Sequence, residues 1–165
     1  TVVLNSFSKY FGMTGWRLGW IVAPDDLLAP MERFQQNLYI CAPHVSQVAG
    51  IAAFECHDEL GPRVDEFRRK REILVHGLQR AGLTELAPSD GAFYVYADVS
   101  SLTDDSFALC REWLRTVGVA ATPGIDFDPV RGNRFVRFSY AGSERDVTTA
   151  VERLGAWLAD RRISR

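Results

Sequence analysis

The chain has 165 residues, 47% of them apolar and 24% charged, with 19 basic against 21 acidic side chains and a formal net charge of −2. That balance describes one or two globular domains, too apolar for a disordered tail and without an apolar run near the ~18 residues that a membrane span needs. Weak acidity also argues against a nucleic-acid groove as the working surface.

Thr1-Val2-Val3-Leu4-Asn5 is β-branched and apolar, which predicts a buried strand with no cap or leader before it. Such a strand needs neighbours on both sides, so the chain is expected to be the downstream part of something longer. A turn-rich stretch from Ser6 to Gly15 follows, and Trp16 to Ala23 predicts a second buried strand. Pro24 and Asp25 stop it and cap a helix of about residues 26–38. Pro43 opens another helix, with Val45, Val48, Ala49, Ala52 and Ala53 on its apolar positions. Gly61-Pro62 is expected to break the chain. Beyond it, Val64, Phe67, Arg71, Leu74, Leu78 and Ala81 recur at helical steps and predict one amphipathic helix over 63–81, ended by Gly82.

The remainder alternates. Ala92 to Ala97 predicts a strand, Phe107, Cys110, Leu114 and Val117 mark a helix, and Val119-Ala120-Ala121 predicts a short strand ending at Pro123-Gly124. Arg134 to Tyr140 predicts a strand that carries charges at 134 and 137. Ser143 and Asp146 have the spacing of a capping box for a last helix, with Val147, Val151, Leu154 and Leu158 as its buried stripe. Strands and helices mixed in this way predict an α/β layer packed under a long connecting helix.

Cys41, Cys56 and Cys110 are odd in number and lie in apolar surroundings, which predicts no disulfide framework and a reducing cytoplasm. Cys41 and His44 have a C-x-x-H spacing but no second pair to complete a metal site, so no metal is expected. Arg68-Arg69-Lys70-Arg71 lies among Asp65, Glu66 and Glu72 and is expected to be a solvated helix face.

Chemistry concentrates in Ser6-Phe7-Ser8-Lys9 and the following Gly12-Met13-Thr14-Gly15-Trp16-Arg17-Leu18-Gly19-Trp20. Of the 19 basic residues only Lys9 and Lys70 are lysines, so each lysine needs a reason. Lys70 is expected to sit on an exposed helix where Arg would serve as well. Lys9 sits on a turn between strands, with two serines just before it and Arg17 eight positions on. A lysine amine is a nucleophile towards aldehydes once desolvated or set beside another cation. Arg17, Ser6 and Ser8 offer a planar fork, hydroxyls and turn N–H groups to a phosphate. A phosphate anchor beside an amine suits an aldehyde cofactor with a phosphate handle, which is pyridoxal phosphate. The spacing of Gly12, Gly15 and Gly19 fits neither the dinucleotide fingerprint nor the P-loop.

These motifs resemble the cofactor-lysine segment of the class I/II aminotransferases, the aspartate aminotransferase-like branch of fold-type I pyridoxal phosphate enzymes. The resemblance continues through Gly91-Ala92-Phe93-Tyr94, through Pro123-Gly124-Ile125-Asp126-Phe127, where Asp128 replaces the glycine that often follows, and through Phe135 to Ala141. It implies the end of a large cofactor-binding domain over 1–62, followed by a connecting helix and small α/β C-terminal domain over 63–165. It implies that Lys9 joins the cofactor covalently and is the catalytic residue, that Ser6, Ser8 and Arg17 hold its phosphate, and that Arg137 binds the substrate α-carboxylate. Gly91 and Phe127 are weaker candidates, for packing or for substrate-side walls. Transfer of an amino group from an amino acid to a 2-oxo acid is the implied activity, in a homodimer in which the segment around Cys41-Ala42-Pro43 approaches the neighbouring subunit's cofactor. Members of the family are more than twice this long, so the chain by itself is expected neither to hold the cofactor tightly nor to transaminate. Two rival readings remain, a cofactor-sensing effector domain of a transcription regulator and a lyase or synthase of the same fold. The amino donor stays open, with an aspartate-type donor as the default.

Overall fold

A computed structural model describes residues 1–163. The chain divides into two compact units, Thr1–Val64 and Asp65–Arg165.

In the first unit, strands β1 (Val3–Ser6) and β2 (Gly19–Val22) pair antiparallel, with Ser6 opposite Gly19 and Val3 opposite Val22. Helix α1 (Asp25–Leu38) follows Pro24, with Asp25 and Asp26 in its first turn, where the helix dipole favours negative charge. Helix α2 (His44–Ala53) starts after Pro43, as the sequence predicts. A cluster of aromatic rings organises this unit: Phe7 contacts Phe11, Trp20 and Phe54 at centroid distances of 4.8, 5.1 and 5.4 Å. The two strands are not buried as expected. Leu4, Ile21 and Val22 are all exposed, because among the described residues the two-stranded ladder has no further strand on either edge.

Helix α3 runs from His57 to Ala81, so Gly61-Pro62 does not break it. Pro62 lies inside the helix, in its second turn, so its missing N–H forfeits one i→i−4 hydrogen bond while the helix continues. The expected stop is found. Gly82 adopts φ +95°, and Leu83 N–H donates to the Leu78 carbonyl.

The second unit has a three-stranded antiparallel sheet in the order β3 (Tyr94–Asp98), β5 (Phe135–Ser139), β4 (Thr122–Pro123). β4 lies just beyond the strand expected at 119–121, and Ala92 falls outside β3 with a left-handed φ of +58°. Alternation sends Val95, Ala97, Val136 and Phe138 to one face, where they join the core. Helix α4 (Ser106–Thr116) supplies Leu109, Cys110 and Trp113, and α3 supplies Leu74 and Leu78. Helix α5 (Glu144–Ile163) adds Val147, Val151, Leu154 and Leu158, the stripe read from sequence. Asp146 N–H donates to Ser143 Oγ at 3.1 Å, which forms the predicted cap. The α4 stripe is rotated from the expected one. Phe107 and Leu114 are exposed, since Leu109, Cys110 and Trp113 define the buried side.

Lys70 corrects the solvated-face reading of 68–71. It is only 4% exposed; Nζ donates to Glu66 Oε1 at 2.9 Å and to the Gly142 carbonyl at 3.0 Å. Arg71 Nη1 likewise donates inward, to the Ser89 carbonyl at 3.1 Å, whereas Arg68 pairs at the surface with Asp65. No helix among the described residues is long and apolar enough to cross a membrane.

Candidate functional site

The segment between β1 and β2 is a turn closed on itself by backbone bonds. Phe7 N–H donates to Leu18 C=O at 3.1 Å, Met13 N–H to Phe7 C=O at 3.1 Å, and Gly12 N–H to Lys9 C=O at 3.0 Å. Phe7 and Met13 are buried beneath it, which leaves the intervening residues at the surface. Gly12 has φ +67°, and a Cβ there would lie 2.6 Å from Arg63 Nη1. The turn therefore needs glycine for its backbone conformation, while the exposed Arg63 side chain packed over it could move aside.

This one turn brings together four of the residues singled out in the sequence. Ser6 ends β1, and its Oγ accepts from Ser8 N–H at 3.0 Å, so its own hydroxyl proton remains to be donated. Thr14 Oγ1 donates to the Ser8 carbonyl at 2.8 Å and ties the two sides of the turn. Lys9 is exposed. Arg17 donates through Nη1 to the Thr14 carbonyl at 3.0 Å, which leaves the rest of its fork for an anion. Its own backbone is left-handed, φ 50° and ψ 50°. A non-glycine residue held there stores backbone strain of the kind that clusters at functional positions. Two hydroxyls, a guanidinium and a primary amine form a donor set that fits a phosphorylated aldehyde.

Thr14 was missed in the sequence as part of this arrangement, as were Tyr10 and His57. Tyr10 Oη and His57 Nδ1 share a hydrogen bond of 3.0 Å that fastens the lysine turn to the start of α3. Two polar aromatics 47 residues apart give no local signal of pairing.

Arg137 belongs to the second unit. On β5 it stands opposite Tyr96 on β3 and Thr122 on β4, on the sheet face away from the core. Its Cζ lies 4.2 Å from the Tyr94 ring centroid and 4.5 Å from that of Phe127. Nη2 donates to Thr122 Oγ1 at 3.3 Å, and Nε is buried without a hydrogen-bond partner. An unpaired buried N–H costs about 1–3 kcal/mol, so this guanidinium is held in place at a cost. Neighbouring charges are already engaged: Arg134 pairs with Asp98 at 3.8 Å and Arg131 with Asp128 at 2.9 Å.

Phe127 reaches Arg137 from a loop set by two glycines. A Cβ on Gly124 would lie 2.6 Å from the Gly132 carbonyl, and one on Gly132 would lie 2.4 Å from Gly124. Only backbone-to-backbone contact fits there. Gly91, by contrast, is exposed with nothing within 4 Å of a built Cβ. Sequence reasoning overlooked Tyr94 and Thr122 as partners of Arg137, although both lie in quoted motifs; the strand register that puts them beside it is a tertiary property. No group of three or more His, Cys, Asp or Glu side chains among the described residues could hold a metal ion.

Comparison with known proteins fits this arrangement. The family model for aminotransferase class I and II matches residues 1–154. The valine–pyruvate aminotransferase of Mycobacterium tuberculosis is 49% identical over 159 residues, covering 95% of this chain and 41% of that protein. A crystal structure of an aminotransferase from the same organism superposes with a TM-score of 0.93 at 48% identity, over 96% of this chain and 42% of that one. The aromatic aminotransferase of Pyrococcus horikoshii gives a TM-score of 0.87 at 30% identity, over 98% and 44%. The chain thus spans about two fifths of the length of these relatives. With its lysine turn, its buried-strand arginine and a family match over most of its length, the chain belongs to the class I and II aminotransferases.

Proposed function

We propose that this chain carries the catalytic amine, the phosphate-binding turn and the carboxylate anchor of an aminotransferase that moves an amino group from an amino acid to a 2-oxo acid. The observation that carries the reading is the gathering of Ser6, Ser8, Lys9 and Arg17 on one hydrogen-bonded turn. Ser6, Ser8 and Arg17 would bind the phosphate of pyridoxal 5′-phosphate. When bound, this cofactor supplies the aldehyde carbon that joins an amine and the ring that accepts the electrons of a broken Cα–H bond. Lys9 Nζ, once freed by the incoming amino acid, would take the proton from the substrate Cα as a base and deliver it as an acid to the carbon that had been the cofactor's aldehyde. Arg137 would hold the α-carboxylate as a planar pair.

In this reading, residues 1–62 close the cofactor-binding domain, and 63–165 form the connecting helix and the small domain. The relatives named above are aminotransferases, which leaves the regulator and lyase readings unfavoured. Valine with pyruvate is the first substrate pair to test, given the 49% identity to an enzyme named for that pair. A homodimer is supported by the exposed apolar run Phe34, Leu38, Tyr39 and Ile40 just before Cys41. A reducing cytoplasm is supported by three free cysteines.

The deciding experiment is borohydride trapping of pyridoxal phosphate on the protein as its gene encodes it, followed by peptide mapping and a donor panel containing valine and aspartate. Label on Lys9 and keto acid formed from the donor are expected, both lost in Lys9→Ala. Label on another lysine, or transamination by Lys9→Ala, would sink the assignment.

A further inference from the structure

The Arg137 guanidinium is held by more than its own strand. Two aromatic faces lie within 4.5 Å of Cζ, Tyr94 from β3 and Phe127 from the loop after Gly124, and Thr122 Oγ1 on β4 accepts from Nη2 at 3.3 Å. A flat cation against two rings, with one nitrogen tethered, has lost most rotation about its terminal bonds. Its fork therefore points one way before any carboxylate arrives, and the ordering cost of binding is met in advance. Burial of Nε without an acceptor is the unfavourable side of that arrangement.

We propose that Tyr94, Phe127 and Thr122 are positioning residues that pre-set the plane of the Arg137 guanidinium for the substrate carboxylate. This rests on the reading of Arg137 as the carboxylate anchor. It has a signature that a side-chain pocket lacks. Amino acid and 2-oxo acid present the same carboxylate to the same guanidinium, so loosening the clamp weakens both in parallel and leaves the proton-transfer step at Lys9 unchanged. A residue that merely contacts the variable side chain would shift the two substrates unequally.

The test compares Tyr94→Leu, Phe127→Leu, Tyr94→Phe, Thr122→Val and Arg137→Ala in the pyridoxal phosphate-loaded protein, with valine and pyruvate as substrates. It also follows the Arg137 Nε–Hε NMR resonance during a pyruvate titration. Each Leu variant is expected to raise both KM values together by about tenfold, with kcat within about twofold, and Tyr94→Phe to behave as wild type. Thr122→Val is expected to raise both KM values by about threefold. The Nε–Hε signal is expected to lie at a ring-shifted position, to move as pyruvate binds, and to lose its ring shift in the Leu variants. Wild-type KM values in both Leu variants, or a Nε–Hε resonance insensitive to both rings, would overturn the clamp. If Arg137→Ala raises both KM values while the Leu variants do not, the clamp alone fails. If Arg137→Ala leaves them unchanged, the anchor reading fails and takes the clamp with it.

Discussion

The Gly142 carbonyl accepts a hydrogen bond of 3.0 Å from Lys70 Nζ, across 72 residues of chain. Gly142 lies in the turn between β5 and α5, so this one bond ties α3 to the exit of the strand that carries Arg137. The ammonium is also 2.9 Å from Glu66 Oε1 and 4.5 Å from the centre of the Phe67 ring, and the residue is 4% exposed. Removing it takes away the donor to the Gly142 carbonyl and opens a gap beside an aromatic ring. Lys70→Ala is expected to lower the unfolding free energy by about 2–4 kcal/mol in urea titration. Lys70→Arg should recover only part of that, because a planar fork does not fit a site built for a compact ammonium. A loss under about 0.5 kcal/mol for the Ala variant would show that the bond contributes nothing net.

Gly77 marks the closest approach of α3 to α5. A Cβ there would lie 2.2 Å from Val151 Cγ1 and 2.7 Å from its Cβ. Alanine gains roughly 1 kcal/mol of helix propensity over glycine, yet overpacking a core contact costs typically ~1–3 kcal/mol. The steric effect wins, because Val151 is β-branched and has few rotamers into which to retreat. Gly77→Ala is expected to be destabilising, and Val151→Ala in the same chain to restore part of the loss. An additive double mutant would show that the two residues are not in conflict.

How much of this was legible beforehand depends on how local each signal is. The last helix could be read whole, since the Ser143–Asp146 cap and the stripe through Leu158 need only helical geometry. The lysine turn was legible because its residues lie within twelve positions of one another. Burial of Lys70 was not, because its partner Gly142 arrives only when β5 takes its place in the sheet. The clamp on Arg137 was hidden for the same reason: Tyr94, Thr122 and Phe127 become neighbours through strand register and a glycine-to-glycine contact. Pro62 misled because a proline costs a helix one hydrogen bond without always ending it, and α3 continues through it to Ala81. The exposure of β1 and β2 could not be read from apolar composition, which encodes a tendency to be covered and not the presence of a cover.

The three cysteines should separate cleanly by reactivity. Burial, with a smaller contribution from Asp126, pushes the Cys110 thiol up to about 11, while Cys41 is exposed. At pH 8 only about one Cys110 in a thousand would be thiolate, and that one is shielded by the α4 packing. Iodoacetamide at pH 8 is expected to label Cys110 only on unfolding. Labelling of Cys110 in the native protein as fast as in the unfolded one would contradict the packing of α4.

The loop that presents Phe127 depends on an ionised carboxylate. Asp128 Oδ1 accepts from the backbone N–H groups of Val130 at 2.9 Å and Arg131 at 3.0 Å, and Oδ2 from Arg131 Nε at 2.9 Å. The Arg131 backbone N–H, then its guanidinium and the Val130 N–H, hold this carboxyl below the usual range. Because the folded value lies below the unfolded one of about 3.9, the stabilisation is fully present above that pH and is lost as pH falls through the depressed folded value. Aspartate here thus makes the order of the loop depend on acid. Amide exchange of Val130 and Arg131, corrected for intrinsic rates, is expected to lose protection as pH falls from 5 towards 2. Asp128→Asn keeps a neutral acceptor, so its protection should be lower at pH 5 and nearly flat with pH. A wild-type profile as flat as that of the Asn variant would mean that the backbone bonds from Phe127 and Asp128 to the Gly124 carbonyl fix the loop without the carboxylate.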